Sequence, residues 1–152
     1  MKFSHSAFTM IELIFVIVIL GILAVVAIPK LSATRDDARI VKLAQMIMIG
    51  SQEIATYAVS SGETNDSFSN MSNNFEMLEK SGAATLSTKK AVIKSGSVND
   101  CITVEVNTTN TSEILQITEK PNGGGDYLCS DLQALIDSTT YPIHLRGQLV
   151  KP

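Results

Sequence analysis

The chain has 152 residues and a net charge of −3, with 45% apolar and 18% charged residues. This length fits one domain of ordinary size plus an appendage. The charge content leaves no basic field that could hold a nucleic-acid backbone over a long footprint, so nucleic acid is not the expected partner.

The first element in chain order is an apolar segment from Phe8 to Ile28, whose only polar side chains are Thr9 and Glu12. As an α-helix it would be roughly 31 Å long, close to the hydrocarbon thickness of a bilayer. Many of its residues are β-branched, but lipid forces every backbone polar group to be satisfied within the segment, which favours a helix. The segment is therefore predicted to span a membrane.

Three interpretations of this segment compete: a secretory signal peptide, a plain membrane anchor, and a segment with a specific use for Glu12. Small residues before Ile28 would allow cleavage after Ala27 by a signal peptidase. A carboxylate has no use in a signal peptide, and at the bilayer centre it would cost about 2.5 to 3.5 kcal/mol. The flanking charges give a weak preference for a cytoplasmic N-terminus.

A resemblance to a known family rests on these residues. The sequence AFTMIELI at residues 7–14, followed by an apolar run and Pro29, resembles the class III signal of type IV pilins and of type II secretion pseudopilins. The resemblance implies that a prepilin peptidase cuts between Ala7 and Phe8 and methylates the new amino group of Phe8. The family usually has glycine at the position of Ala7, so this chain departs from the pattern there.

The resemblance also implies roles for Glu12 and Pro29, which would become the fifth and twenty-second residues of the mature chain. In the family the acid pairs with the N-terminal amine of a neighbouring subunit. Because an unpaired charge in a low-dielectric bundle is costly, such a pair would fix the axial register of assembly. The alternative is a carboxylate that lies in the interfacial region or is protonated there.

The residues after Pro29 continue the helical pattern. The apolar positions at helical spacing are Ile40, Leu43, Ala44, Ile47, Ile54, Tyr57 and Ala58. They predict one long helix from about Thr9 to Ser60, bent at Pro29, with an amphipathic second half. The cluster from Met46 to Ile49 is apolar on nearly all sides and is predicted to lie in the core.

The rest of the chain predicts short helices and an antiparallel sheet. The polar stretch from Ser61 to Asn74 is predicted to be a loop, and Asn73 and Glu76 resemble a capping box before a short helix. The further predictions are a helix at 75–80, strands at 90–94, 101–107, 112–119 and 142–150, a loop at 121–126 and a helical turn at 131–137. The fold class is therefore α+β, a long helix on a small antiparallel sheet, as in pilins.

Two cysteines, Cys101 and Cys129, lie in the part that the apolar segment would export. They form either a disulfide, as an oxidising compartment favours, or two buried free thiols. The resemblance supports the disulfide, because one often closes the C-terminal region of pilins. Asp126 and Asp131, with carbonyls of the glycine-rich loop, are weak candidates for a calcium site, the alternative being a solvated acidic loop.

No enzyme is expected. His144 lies in an alternating stretch where it would face solvent, and the sequence has no GxSxG elbow, zinc spacing or nucleotide-binding fingerprint, so no cofactor is expected either. Lys89, Lys90 and Lys94 form a small basic patch that is more typical of a solvated face than of a DNA site. The segments 63–67 and 105–109 resemble the extended acceptor pattern of bacterial N-glycosylation.

These observations and the resemblance predict a leader at 1–7, a transmembrane and assembly helix at 8–29 and a periplasmic globular domain at 30–152. The implied protein is a pilin or pseudopilin, anchored once in the inner membrane and then assembled into a fibre. Its implied partners are other pilin subunits, prepilin peptidase and an inner-membrane assembly platform. The rival hypotheses are a Sec-exported periplasmic binding protein cut after Ala27 and an anchored domain that never polymerises.

Overall fold

One helix, α1, runs without a break from Met10 to Ser61. The computed structural model describes residues 9–109 and 112–146. The predicted long helix from about Thr9 to Ser60 is confirmed. Pro29 has helical backbone within α1, and the bend expected there stays a prediction. The chain divides into two units, Met1–Ala38 and Arg39–Pro152.

The first unit contains the apolar part of α1. The segment Met10–Ile28 has 19 residues and a mean hydropathy of 3.2, and none of it is buried within the protein. It is long and apolar enough to cross a membrane. A stretch of this kind with no protein around it needs either lipid or neighbouring helices, because contiguous apolar patches of this size are rare on proteins in water.

The second unit is built on a five-stranded antiparallel sheet whose strands follow one another in chain order. The strands are β1 (Ala84–Ser87), β2 (Lys90–Ser95), β3 (Val98–Thr108), β4 (Glu113–Glu119) and β5 (Ile143–Arg146). The strand predicted at 90–94 and the predicted hairpin are confirmed as β2, β3 and β4. The sequence analysis does not predict β1, because four residues are too few to show a two-residue alternation. β5 confirms the start of the last predicted strand, and 147–150 lie outside the described residues.

The hairpin of β3 and β4 has the alternation that its sequence predicts. Ile102, Val104 and Val106 are buried, whereas Thr103 and Glu105 between them are half-buried on the opposite face. The register pairs Ile102 with Glu119, and it pairs the other two inward side chains with apolar partners on β4, Val104 with Ile117 and Val106 with Leu115. Cross-strand pairs of this kind stabilise a sheet by burying apolar surface on one face.

Two predictions about the segment after α1 are wrong. The stretch from Ser61 to Asn74 is not entirely loop, because it contains the short helix α2 (Phe68–Met71), which buries both of its terminal side chains. Helix α3 (Asn73–Lys80) begins two residues before the predicted helix, and its cap is Ser72. The extended backbone of Ser72, with φ −148° and ψ 121°, aims its hydroxyl at the N–H of Phe75 at 3.2 Å, so Asn73 is already helical.

The glycine-rich loop contains a short 3₁₀ turn at Pro121–Gly125 and leads directly into α4 (Tyr127–Leu135). The helical turn predicted at 131–137 therefore begins four residues too late. Gly123 has a φ of 57° and is buried, and a Cβ there would collide with Ser130. Both facts require glycine, since the left-handed region is costly for other residues and the space is already filled.

The core of the second unit lies between α1, the shorter helices and one face of the sheet. Its fully buried members from α1 include Ile47 and Ile54, and the rings of Phe68 and Phe75 meet edge to face at 5.2 Å. The prediction that Met46 to Ile49 lie together in the core is only partly right, because Ile47 is buried but Ile49 is 48% exposed. Four consecutive helical residues point in four directions, so they cannot all face one core.

Candidate functional site

The start of α1 is closed by a reciprocal pair of residues, Thr9 and Glu12. The backbone N–H of Thr9 donates to Glu12 Oε2 at 2.8 Å, and the Thr9 hydroxyl donates to the same oxygen at 2.7 Å. In return, the backbone N–H of Glu12 donates to Thr9 Oγ1 at 3.3 Å. This is a capping box, in which a threonine and an acid three residues later satisfy N–H groups that the first turn leaves without partners.

The capping box gives Glu12 a role within its own chain that the sequence interpretation missed. The signal was present, because Thr9-Met10-Ile11-Glu12 has the T-x-x-E spacing of such a box. The negative charge also lies in the first turn, where it interacts favourably with the helix dipole. A carboxylate at the mouth of an apolar segment is therefore stabilised before any second subunit is present.

The two oxygens of Glu12 are used unequally. Both bonds from Thr9 reach Oε2, and Oε1 accepts no hydrogen bond from the described residues. An ionised carboxylate has about four acceptor positions, so Oε1 keeps the capacity to receive a further donor or cation. One side of this group closes the helix, and the other side can take a partner from outside the chain.

The comparison with protein families bears on this segment. Residues 2–28 match the model of the prokaryotic N-terminal methylation motif. The chain carries a class III prepilin-type signal. This signal is the one found in type IV pilins and pseudopilins, and the match supports a pilin-like precursor. No curated protein and no solved structure matches the chain.

The residues on which processing of the prepilin-type signal would act lie at the edge of the described chain. Ala7 and Phe8, the predicted cleavage and methylation residues, lie outside the described residues. Glu12 lies in the first turn of α1, and Pro29 lies within the same helix. The motif ends at residue 28, next to Pro29, so the matched segment and the membrane-length segment Met10–Ile28 end together.

Far from the signal, Cys101 on β3 and Cys129 on α4 form a disulfide with a Cα–Cα distance of 5.6 Å. The predicted bridge is confirmed, and the alternative of two free thiols is wrong. Both cysteines are fully buried. Gln133 strengthens the same junction, because its side-chain amide donates to the carbonyls of Cys101 at 3.0 Å and Lys120 at 2.9 Å. The bridge therefore fastens α4 to the sheet.

Asp126, one of the two weak calcium candidates, already has partners on both oxygens. Oδ1 accepts the N–H of Leu128 at 2.8 Å and so caps α4, while Oδ2 accepts the N–H and hydroxyl of Ser97 at 2.8 and 2.6 Å. These bonds lower the pKa of Asp126, the Ser97 hydroxyl contributing most. Asp131 is exposed on α4, five residues further on, and thus roughly 140° around the helix from the cap. Asp126 therefore acts as the N-cap of α4.

Within the described parts of the chain, no group of three or more histidine, cysteine, aspartate or glutamate side chains could hold a metal ion. His144 is exposed on β5. Two of the three lysines of the basic patch have separate acidic partners. Lys89 Nζ lies 3.3 Å from Glu113, and Lys90 Nζ lies 3.6 Å from Glu105. Neutralised in this way, these lysines offer little field to an anion.

Two carboxylates that no sequence motif indicated hold the second unit together. Glu53 on α1 accepts the Ser72 hydroxyl at 2.6 Å and both the backbone and side-chain amides of Asn74, at 3.2 and 2.9 Å. It therefore binds the N-terminus of α3, where the helix dipole favours an anion. Glu113, only 2% exposed, binds Thr64 and Lys89. Both roles depend on distant parts of the chain, so no local pattern reveals them.

Proposed function

We propose that the chain is a structural subunit of a type IV pilus or a type II secretion pseudopilus. The observation that carries the proposal is the match of residues 2–28 to the methylation motif, together with an apolar helical segment none of which is buried within the protein. An apolar segment that is not buried fits first a bilayer and then a bundle of identical helices. A solitary soluble domain has no use for it.

In the proposed pathway, prepilin peptidase cuts between Ala7 and Phe8 and leaves a charged amino group at Phe8. The capping box survives this cut, because every atom in it belongs to Thr9 or Glu12. Glu12 Oε1 then accepts the amine of a neighbouring subunit while Oε2 keeps its own helix closed. A charge pair made in this way is strong in a low-dielectric bundle and selects one register over slipped ones.

Assembly needs more than the hydrophobic effect. An apolar helix that leaves lipid for a protein bundle changes one apolar environment for another, so packing contacts and the Glu12 pair supply the specificity. An inner-membrane assembly platform supplies the work of extraction. Contacts that run head to tail and do not close into a ring build a filament from one kind of subunit.

The same proposal places residues 8–29 in the inner membrane and residues 30–152 in the periplasm, until the subunit enters a periplasmic or extracellular fibre. The disulfide between Cys101 and Cys129 supports this side of the membrane, because such bonds form and persist in oxidising compartments. Prepilin peptidase, other pilin subunits and the platform are the proposed partners. In this proposal the subunit has no catalytic role.

The experiment that tests the proposal is intact and N-terminal mass spectrometry of the protein purified from its native membrane. A chain that begins at methylated Phe8 is the expected result. A chain that begins at Ile28 would overturn it, because that product has lost Glu12 and the whole apolar segment. It would instead support the rival, a periplasmic binding protein cut after Ala27.

A further inference from the structure

Two segments of the chain share the pattern acid-x-Asn-x-Ser/Thr, and the structure places them very differently. One runs from Glu63 to Ser67 and the other from Glu105 to Thr109. Asn-x-Ser/Thr is the acceptor tripeptide for N-linked glycans and belongs on exported surface loops. Because the two segments match the same pattern, their structural settings decide which of them a transferase can use.

Asn65 lies in the loop between α1 and α2, and its side chain forms a turn with the serine of its own tripeptide. Asn65 Oδ1 accepts the backbone N–H of Ser67 at 2.9 Å and the side-chain amide of Asn70 at 3.3 Å. A backbone N–H can only donate, so this bond fixes which end of the Asn65 amide is oxygen. Its Nδ2 points the other way and donates no hydrogen bond to the described residues.

The neighbours of Asn65 hold this turn in place; Asn65 and Ser67 are half-buried, and the Ser67 hydroxyl lies 2.7 Å from the Ser69 hydroxyl. Thr64 is anchored on Glu113 by its hydroxyl at 2.8 Å, and the carbonyl of Asp66 accepts the N–H of Lys89 at 2.8 Å. Glu63, the acid two residues before the asparagine, is exposed and has no ion pair within the described chain. A turn held in one conformation costs less entropy when it is bound.

Asn107 has the opposite setting, because it lies within β3 and pairs with Ile114 of β4. Its Nδ2 donates to Gln116 Oε1 at 3.1 Å and to Glu105 Oε1 at 3.4 Å. Glu105, the acid of this second pattern, also pairs with Lys90 at 3.6 Å. A transferase would have to detach the strand from its ladder and break these contacts before it could bind the segment.

We propose that Asn65 is an acceptor site for an N-linked glycan and that the fold excludes Asn107. The co-substrate is an oligosaccharide linked through pyrophosphate to a membrane lipid, and the catalyst is an oligosaccharyltransferase that recognises an acid two residues before the asparagine. This inference rests on the export proposed above, because the transferase must meet the second unit outside the cytoplasm.

The reaction is a group transfer without oxidation or reduction. A bond forms between Asn65 Nδ2 and C1 of the first sugar as the bond between C1 and the pyrophosphate oxygen breaks. The lipid pyrophosphate leaves with the bonding electron pair, and one Nδ2 proton passes to a base of the transferase. Oδ1 is not altered, so the Asn65 turn with Ser67 is retained in the product.

Two further Asn-x-Ser tripeptides lack the acid, at 70–72 and 110–112, and the first serves as an internal control. Asn70, Met71 and Ser72 also form Asn-x-Ser, and Asn70 is exposed, but the residue two before it is Phe68, which is fully buried. It therefore offers an accessible asparagine without the acid. Modification at Asn70 would show that exposure alone selects the site.

The test uses the purified full-length chain in detergent with its disulfide intact. It is incubated with a bacterial oligosaccharyltransferase of the acid-requiring class and a lipid-linked oligosaccharide of known mass, then analysed by intact mass and peptide mapping. One added glycan on Asn65 is expected. Asn65→Gln should lose it, Glu63→Gln should reduce it at least tenfold, and Asn107→Gln and Asn70→Gln should keep it. Synthetic peptides 61–69 and 103–111 should both be modified, because neither is folded.

Two outcomes overturn the proposal: no glycan on the folded chain although the 61–69 peptide is modified, and a glycan on folded Asn107 or Asn70 at a yield equal to Asn65. The assay does not depend on export, so its failure is separate from a failure of the pilin hypothesis. A mature N-terminus at Ile28 would refute that hypothesis while leaving the purified-protein assay to decide the fate of Asn65.

Discussion

Thr64 and Glu113 are joined by a hydrogen bond of 2.8 Å between the threonine hydroxyl and Glu113 Oε1, although 49 residues separate them. The Thr64 N–H donates to the other oxygen at 3.2 Å, and Lys89 Nζ lies 3.3 Å from Oε1. One buried carboxylate thus ties the loop after α1 to the turn between β1 and β2 and to the end of the β3–β4 hairpin. The same contacts between Thr64 and Glu113 hold the loop that contains Asn65, the proposed glycan acceptor.

Replacing Glu113 by alanine should destabilise the second unit by about 2 to 4 kcal/mol, because it leaves Thr64 and Lys89 without their buried acceptor. The measurement is urea unfolding of the full chain in detergent, monitored by the circular dichroism signal of the sheet. Glu119→Ala on the same strand is the matched control and should change the free energy of unfolding by less than about 0.5 kcal/mol. Equal losses in both variants would contradict the role given to Glu113.

Acid should weaken the second unit through Glu53 and Glu113. Burial raises the pKa of both carboxyl groups. Glu53 accepts hydrogen bonds from Ser72 and Asn74, and Glu113 accepts them from Thr64 and Lys89. These bonds outweigh burial, so both pKa values fall below the ordinary 4.5. A carboxylate whose pKa is lower in the folded state stabilises that state above its unfolded pKa. This stability is lost as the pH falls from about 4.5 through the folded value.

The urea midpoint measured at pH 7, 5, 4 and 3 tests this expectation. The native chain should lose stability below pH 5, and the double variant Glu53→Gln, Glu113→Gln should start lower but fall less steeply. Other carboxylates whose pKa is lowered, such as Asp126, are present in both proteins. The difference between the two curves therefore isolates the contribution of Glu53 and Glu113. Parallel curves would show that neither glutamate carries the acid sensitivity.

These carboxylates also show what the sequence can and cannot predict. Local periodicity was sufficient for α1 and for the β3–β4 hairpin, because burial on one face repeats every 3.6 or 2 residues. The spacing of Asn73 to Glu76 predicts a capping box for α3, whereas in the structure Ser72 caps that helix and Glu53 binds Ser72. The class III signal was identified because its residues are contiguous. The capping role of Glu12 is also local, because Thr9 and Glu12 are three residues apart.

Gly50 on α1 should not tolerate a methyl group. A Cβ there would lie 2.8 Å from a ring carbon of Phe75 and 3.1 Å from Ser72 Oγ. Alanine normally favours a helix over glycine by about 1 kcal/mol, but overpacking in a filled core costs about 1 to 3 kcal/mol. Gly50→Ala should therefore lower the melting temperature of the second unit. Gly21→Ala, whose new methyl meets no atom within 4 Å, should leave that temperature unchanged.

Removing the disulfide by Cys101→Ala with Cys129→Ala should lower the free energy of unfolding by roughly 3 to 4 kcal/mol, as the loop-entropy model gives for a ring of this size. The bridge closes a sequence separation of 28 residues and joins β3 to α4. Hydrogen exchange should show the largest loss of protection in α4. Uniform loss over the whole sheet, with α4 no worse than the rest, would contradict a local fastening role.

Glu12 offers a test that separates its two proposed roles. Glu12→Gln keeps an oxygen that can accept from Thr9 but removes the charge, whereas Thr9→Val keeps the charge and removes the hydroxyl that donates to Oε2. Loss of a helix cap costs about 0.5 to 2 kcal/mol. If pairing with a neighbour's amine fixes the register, Glu12→Gln should abolish or disorder fibres, and Thr9→Val should assemble fibres with only a frayed first turn.

The measurement is electron microscopy of fibres sheared from cells, together with the mass of the mature N-terminus in each variant. Both variants should still begin at Phe8, because neither changes Ala7 or Phe8, and their disulfide should form normally. Ordered fibres from Glu12→Gln would show that the carboxylate acts through its cap and not through its charge. Failure of Thr9→Val alone would lead to the same conclusion, since that variant retains the full charge of Glu12 and lacks only the contact that closes its own helix.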